Sequence, residues 1–164
     1  MKDWPPNAGP EALLRLRDGR FLVLSEDGDG PGGARDALLY DRDPTDPAAR
    51  LTRFGYRPPV GFSATDAAQL PDGRVLVLNR RFAPLDGFAA AVTIIDPAGI
   101  APGAILIGQE IARLAPPLSV DNMEGVSVTQ EAGQTIIWIV SDDNFSPLER
   151  TMLMKFALLP EARR

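Results

Sequence analysis

Two acidic clusters hold the residues best suited to chemistry. Asp121-Asn122-Met123-Glu124 and Ser141-Asp142-Asp143-Asn144 stand at the ends of two apolar runs, Val126 to Thr129 and Thr135 to Val140. If those runs pair as neighbouring strands, both clusters reach the same edge of one small sheet. Glu11 and Thr65-Asp66 stand in comparable places ahead of apolar runs, within one residue of the Glu124 register. Carboxylates that converge in this way can hold a hard cation such as Ca²⁺, with Glu11, Asp66, Glu124, Asp142 and Asp143 as candidate ligands. They can also raise one another's pKa until one serves as a general acid. Each carboxylate taken alone is better explained by turn capping through backbone N–H groups, and only the three matched positions together bring the two explanations level.

Basic residues occupy matching positions. Arg80-Arg81 follow an apolar run where Asp142-Asp143 follow another, and Arg150 lies between Ser146-Pro147 and the last apolar run. An arginine fork grips phosphate or carboxylate in two places. Glu124, Asp142, Arg80 and Arg81 are therefore the catalytic candidates, with Arg150 and Asn144 as substrate contacts and a metal-activated water as the attacking group. For Arg81 and Arg150 the competing assignment is a salt-bridge network joining adjacent structural units.

Two absences narrow the mechanism. The sequence has no cysteine and no histidine. That removes thiol nucleophiles, disulfides, Ser-His triads and imidazole or thiolate zinc sites. Carboxylates, hydroxyls, Lys, Arg or an oxygen-bound metal remain.

With 164 residues, 45% hydrophobic, the chain is expected to form a single domain over 1–164. Its net charge of −5 argues against a nucleic-acid partner, which needs a basic face. A small polar or phosphorylated molecule fits better. No apolar run approaches the roughly 18 residues that cross a bilayer, so no membrane partner is expected, and the Met-Lys-Asp-Trp-Pro-Pro start lacks a signal-peptide core.

Gly 15 and Pro 16 predict many turns between short elements. Residues 1–10 form a lead-in loop. Strands are predicted at Glu11 to Leu16, Arg20 to Ser25, Ala37 to Tyr40 and Leu51 to Gly55, with a loop from Asp27 to Gly33. The same phrase then returns. Asp18-Gly19-Arg20 and Asp72-Gly73-Arg74 lie 54 positions apart, each ahead of a four-residue apolar run. The second unit takes strands at Thr65 to Leu70, Val75 to Arg80, Ala89 to Ile95 and Ala104 to Gly108. A third has strands at Glu124 to Val128, Ile136 to Val140 and Thr151 to Leu158, with Trp138 and Phe156 as core residues. Repeated units of four short strands are the pattern of β-propeller blades. The expected fold is all-β, a partial β-propeller of about three blades, with a β-sandwich as the alternative. Three blades do not close a ring, so a second copy or further blades would complete it.

The segments NAGPEALLRLRDGRFLVLSE, GFSATDAAQLPDGRVLVLNRRF, DNMEGVSV and WIVSDDNFSPLERTMLMKFAL resemble the C-terminal half of bacterial phytase-like proteins, the family described by an esterase-like activity of phytase. The resemblance covers about residues 7–158, with Met123 where Phe is usual and Glu149 where Gln is usual. It implies a propeller fold, export to the periplasm or medium, N-terminal blades outside this sequence, and phosphoesterase activity carried by Glu11, Asp66, Glu124, Asp142, Asp143 and Asn144 with Arg80, Arg81 and Arg150. The leading expectation is a cation-assisted hydrolase of phosphate esters. A lactonase- or carboxylesterase-like enzyme and a non-catalytic binding module are the alternatives.

Overall fold

A computed structural model describes residue 4 and residues 9–159. Most of the predicted lead-in loop lies outside the described residues. The fold is all-β: three meander sheets packed face to face, not closed into a ring or barrel, the arrangement of a partial propeller or of stacked sandwich layers. The first sheet contains β1 (Pro10–Arg15), β2 (Phe21–Asp29), β3 (Arg35–Tyr40) and β4 (Leu51–Arg57). The second begins with β5 (Ser63–Gln69), β6 (Val75–Ala83) and β7 (Gly87–Ile95). After it come β8 (Ile105–Ile107) and β9 (Gln109–Leu114), then the third sheet, β10 (Met123–Glu131), β11 (Gln134–Ser141) and β12 (Leu153–Ala157).

The repeated phrase is a repeated structure. Gly19 and Gly73 adopt φ of 90° and 94°, open to glycine and strained for other residues. In both turns the Asp carboxylate accepts the backbone N–H two residues on at 3.0 Å. The following arginine closes back on that carboxylate, Arg20 at 2.8 Å and Arg74 at 2.9 Å. Asp, Gly and Arg each have one job in this hairpin, which is why the three recur together.

One expected strand belongs elsewhere. The run at Ala104 to Gly108 was predicted to complete the second unit, but β8 pairs in parallel with β4 and extends the first sheet. The outer strand of the second sheet is β9, paired with β7. Five of its six residues are exposed, so it shows none of the apolar alternation that marks a half-buried strand. The segment from Asp27 to Gly33 also differs from the expected loop. β2 continues through Asp29, and a single 3₁₀ turn covers Pro31–Gly33.

Alternation along the strands makes two cores with the second sheet in the middle. Leu22, Leu24, Phe54 and Tyr56 meet Ala67, Val75 and Val77 on one side. Leu76, Leu78 and Val92 meet Met123, Ile137 and Ile139 on the other. Phe156 packs at the edge of this second core as expected. Trp138 does not. It lies on the opposite face of β11, where its indole N–H donates to Thr129 Oγ1 at 3.0 Å and Lys155 Nζ sits 4.8 Å from the ring centroid.

Where the first core reaches its polar end, Tyr56 donates its hydroxyl hydrogen to Asn79 Oδ1 at 2.7 Å, and its oxygen lies 2.8 Å from Thr93 Oγ1. Burial pushes the phenol up to about 12, opposed by those bonds from Thr93 and Asn79. Tyr56→Phe is expected to cost about 1–3 kcal/mol in urea unfolding, since it strands a fully buried amide oxygen. A loss below a few tenths would show that Asn79 finds another donor.

Candidate functional site

Each sheet opens with a β-bulge at the same place. The register shifts between Pro10 and Ala12 in β1, between Ala64 and Asp66 in β5, and between Met123 and Gly125 in β10. The extra residues are therefore Glu11, Thr65 and Glu124. A bulge re-aims the side chain it carries. Because β5 lies between β1 and β10, the three re-aimed residues come from neighbouring strands. The residues paired just before the bulges are Ser25, Asn79 and Ser141, all buried and polar. Each ties its strand to the next segment of its own sheet: Ser25 donates to Asp36 O, Asn79 to Ala91 O and Ser141 to Arg150 O.

The next residues along the chain are Glu26, Arg80 and Asp142, the first two within β2 and β6 and the third just after β11. Arg80 is the centre of the site. Its Nη1 donates to Glu124 Oε1 at 2.9 Å and to Asn122 Oδ1, and its Nη2 donates to Glu26 Oε1 at 3.2 Å. One guanidinium on the second sheet thus binds a carboxylate of the first and a carboxylate and amide of the third. Arg80 and Glu26 are about three-quarters buried and Glu124 two-thirds, so water screens these pairs less than it would at an open surface.

Burial raises the Glu124 carboxyl above its ordinary range. Arg80 and the Asn122 amide oppose that rise, while the charges of Glu11 and Glu26 add to it. Glu11 is raised as well, first by desolvation and then by Glu26, with Arg80 pulling the other way. Asn122 is fully buried, and its Nδ2 has no hydrogen-bond partner. Gly125 lets the chain pass this point, since a Cβ there would come within 2.7 Å of Val140 Cγ1.

The predicted site residues divide into two groups. Glu11, Arg80 and Glu124 come together. The two acidic clusters do share an edge, because Met123 pairs with Ser141 and Asp142 N–H donates to Asn122 O at 3.0 Å. Asp66 is used differently. Its carboxylate accepts from Val126 N at 2.7 Å and Ala67 N at 2.8 Å, stitching the second sheet to the third. Asp142 and Asp143 cap the loop after β11, accepting from Asn144 N at 3.2 Å and Phe145 N at 2.9 Å. Asn144 donates to Glu149 at 3.1 Å.

The predicted salt bridges of Arg81 and Arg150 exist, but they do not join adjacent units. Arg81 reaches Asp86 at 3.6 Å inside its own β6–β7 hairpin, and Arg150 reaches Asp121 at 3.3 Å beside its own sheet. Arg80 makes the joining contacts. Glu26 had no place among the sequence candidates, and Asn122 stood in the first acidic cluster without a role. Glu26 precedes Arg80 by 54 positions, the same spacing as the Asp-Gly-Arg turns, so the repeat itself carried that signal.

Among the described residues no group of three or more Asp or Glu side chains is placed to hold a metal ion. The guanidinium already occupies the position between Glu26 and Glu124.

A family model described as phytase-like, esterase-like activity of phytase, matches residues 1–145. The chain belongs to the phytase-like family. That membership places it with phytase- or esterase-like hydrolases at the family level and agrees with the resemblance carried by the DGR turns, NMEG and SDDNF. Searches of curated proteins and of solved structures found no match.

Proposed function

We propose that this phytase-like chain hydrolyses phosphate esters at the Arg80 cluster, with Glu124 as general acid. The observation that supports this reading is the single guanidinium shared by carboxylates of two different sheets, beside two glutamates whose proton affinity is raised. When Glu124 takes up a proton, its hold on Arg80 weakens, and the fork becomes available to the phosphate oxygens. A water oxygen then bonds to phosphorus as the phosphorus–ester oxygen bond breaks. Glu11 accepts the proton lost by water, and Glu124 gives its proton to the departing alkoxide. Arg80 balances the charge on the equatorial oxygens throughout.

The family description also contains the word esterase, and a carboxylic ester would use the same acid and fork differently. Comparing p-nitrophenyl phosphate with p-nitrophenyl acetate separates the two. The expected result is turnover of the phosphate ester that Arg80→Ala lowers by about 100-fold or more. Acetate turnover alone would move the chain to the carboxylesterase reading, and turnover of neither would leave Arg80 as a brace between sheets.

A further inference from the structure

Asn122 is the member of the Arg80 cluster whose hydrogen bonding is incomplete. Its side chain is fully buried, and its Nδ2 is one of two buried side-chain nitrogens without a partner among the described residues, the other being Arg81 Nε. A buried donor with no acceptor is costly to a folded protein, so each one asks for a reason.

Turning the amide over gives no relief. Asn122 Oδ1 accepts from Arg80 Nη1, and the reversed amide would set its NH2 against the guanidinium, donor to donor. The backbone is held on both sides as well. Asn122 N–H donates to Asp121 Oδ1 at 3.0 Å, and Asn122 O accepts from Asp142 N at 3.0 Å. Arg80 therefore decides which end of the amide is left over.

Glu124 is the acceptor placed to use that end. Its Oε1 accepts from the same Nη1 at 2.9 Å, so the amide and the carboxylate sit side by side on one nitrogen. The Asn122 amide also opposes the rise in the proton affinity of Glu124, as a donor beside a carboxylate does. In the resting cluster Arg80 satisfies the Glu124 carboxylate. During hydrolysis the fork turns to phosphate, Glu124 gives up its proton, and the new carboxylate has no cation of its own. Asn122 Nδ2 is then the spare donor beside it.

We propose that Asn122 is a positioning residue whose Nδ2 donates to the Glu124 carboxylate as that acid loses its proton. The assignment rests on the hydrolytic reading and deepens it. A bond missing from the resting cluster and made as the proton leaves favours the transition state over the bound substrate. It should therefore act on kcat and spare KM.

Kinetics of Asn122→Leu on p-nitrophenyl phosphate test this. Leucine fills a similar volume and removes the orphaned donor, so the variant should melt close to the parent. Its kcat should fall by about tenfold or more, while KM and the inhibition constant of inorganic phosphate stay within about twofold. Without the amide Glu124 holds its proton more tightly, so the falling limb of kcat should move to higher pH. The limb of kcat/KM, which reports the resting cluster, should move less. Asn122→Asp keeps the oxygen that faces Arg80 but has no N–H, and the same loss of kcat is expected if the leucine variant does not fold. Parent-like kcat in either folded variant overturns the proposal and leaves the hydrolytic reading intact. So does a loss of phosphate affinity that matches the loss of rate, which would place Asn122 behind Arg80 instead of Glu124. Absence of turnover in the parent itself would overturn the hydrolytic reading and this assignment with it.

Discussion

Replacing Arg80 with alanine is expected to lower phosphate-ester turnover by about 100-fold or more, the usual consequence of removing a preorganised group that meets developing charge. The same change leaves Glu11, Glu26 and Glu124 facing one another with no cation between them. The folded state should then lose about 2 kcal/mol at neutral pH, less than a fully buried pair would cost because the three side chains remain partly wet. That loss should shrink in acid, where the carboxylates become neutral and stop repelling. Arg80→Lys restores the charge but not the planar fork, so it should recover stability more fully than turnover. If both variants fold and turn over substrate at the parent rate, Arg80 is not part of a hydrolytic site.

Glu124→Gln separates the acid from the brace. Glutamine keeps an oxygen that can accept from Arg80 but has no proton to give, so turnover should fall by about 100-fold. The parent rate should decline as pH rises through the elevated value of Glu124, and the residual rate of the variant should lose that limb. Stability should move in a different direction. A carboxyl raised in the folded state favours folding below its ordinary value of 4.5, and that contribution disappears as pH rises through the folded value. A neutral glutamine avoids this loss, so the variant should melt no lower than the parent at neutral pH, with the two curves converging toward acid. A variant that melts well below the parent at neutral pH would mean that the Glu124 charge is structural.

Much of this architecture was legible because two local rules recur. The Asp-Gly-Arg turns mark hairpins through the conformation of glycine and the reach of the flanking side chains, and the apolar runs beside them alternate between two cores. Glu11 and Arg80 were legible for the same reason, since each stands at a fixed distance from an Asp-Gly-Arg turn, and Glu124 stands within one residue of the Glu11 register although its own hairpin lacks that phrase. What escaped were features without a local signature. β9 is an exposed edge with no apolar face, and β8 finds its partner in a strand about fifty residues earlier. Asp66 looks like the counterpart of Glu124, yet the bulge assigns that place to Thr65, whose hydroxyl donates to Met123 O at 3.1 Å. A shift of one residue turns a side chain to the other face, which is enough to make a candidate ligand into a strand tie. Asp142 and Asp143 are crowded together because two consecutive turn caps need two carboxylates.

We propose hydrolysis of phosphate esters at the Arg80 cluster through Glu124 and Glu11. It is tested by turnover of a small phosphomonoester in mildly acidic buffer with excess EDTA. The expected result is turnover that EDTA leaves unchanged and that added Ca²⁺ does not increase. Turnover that appears only with Ca²⁺, or none under either condition, would contradict it.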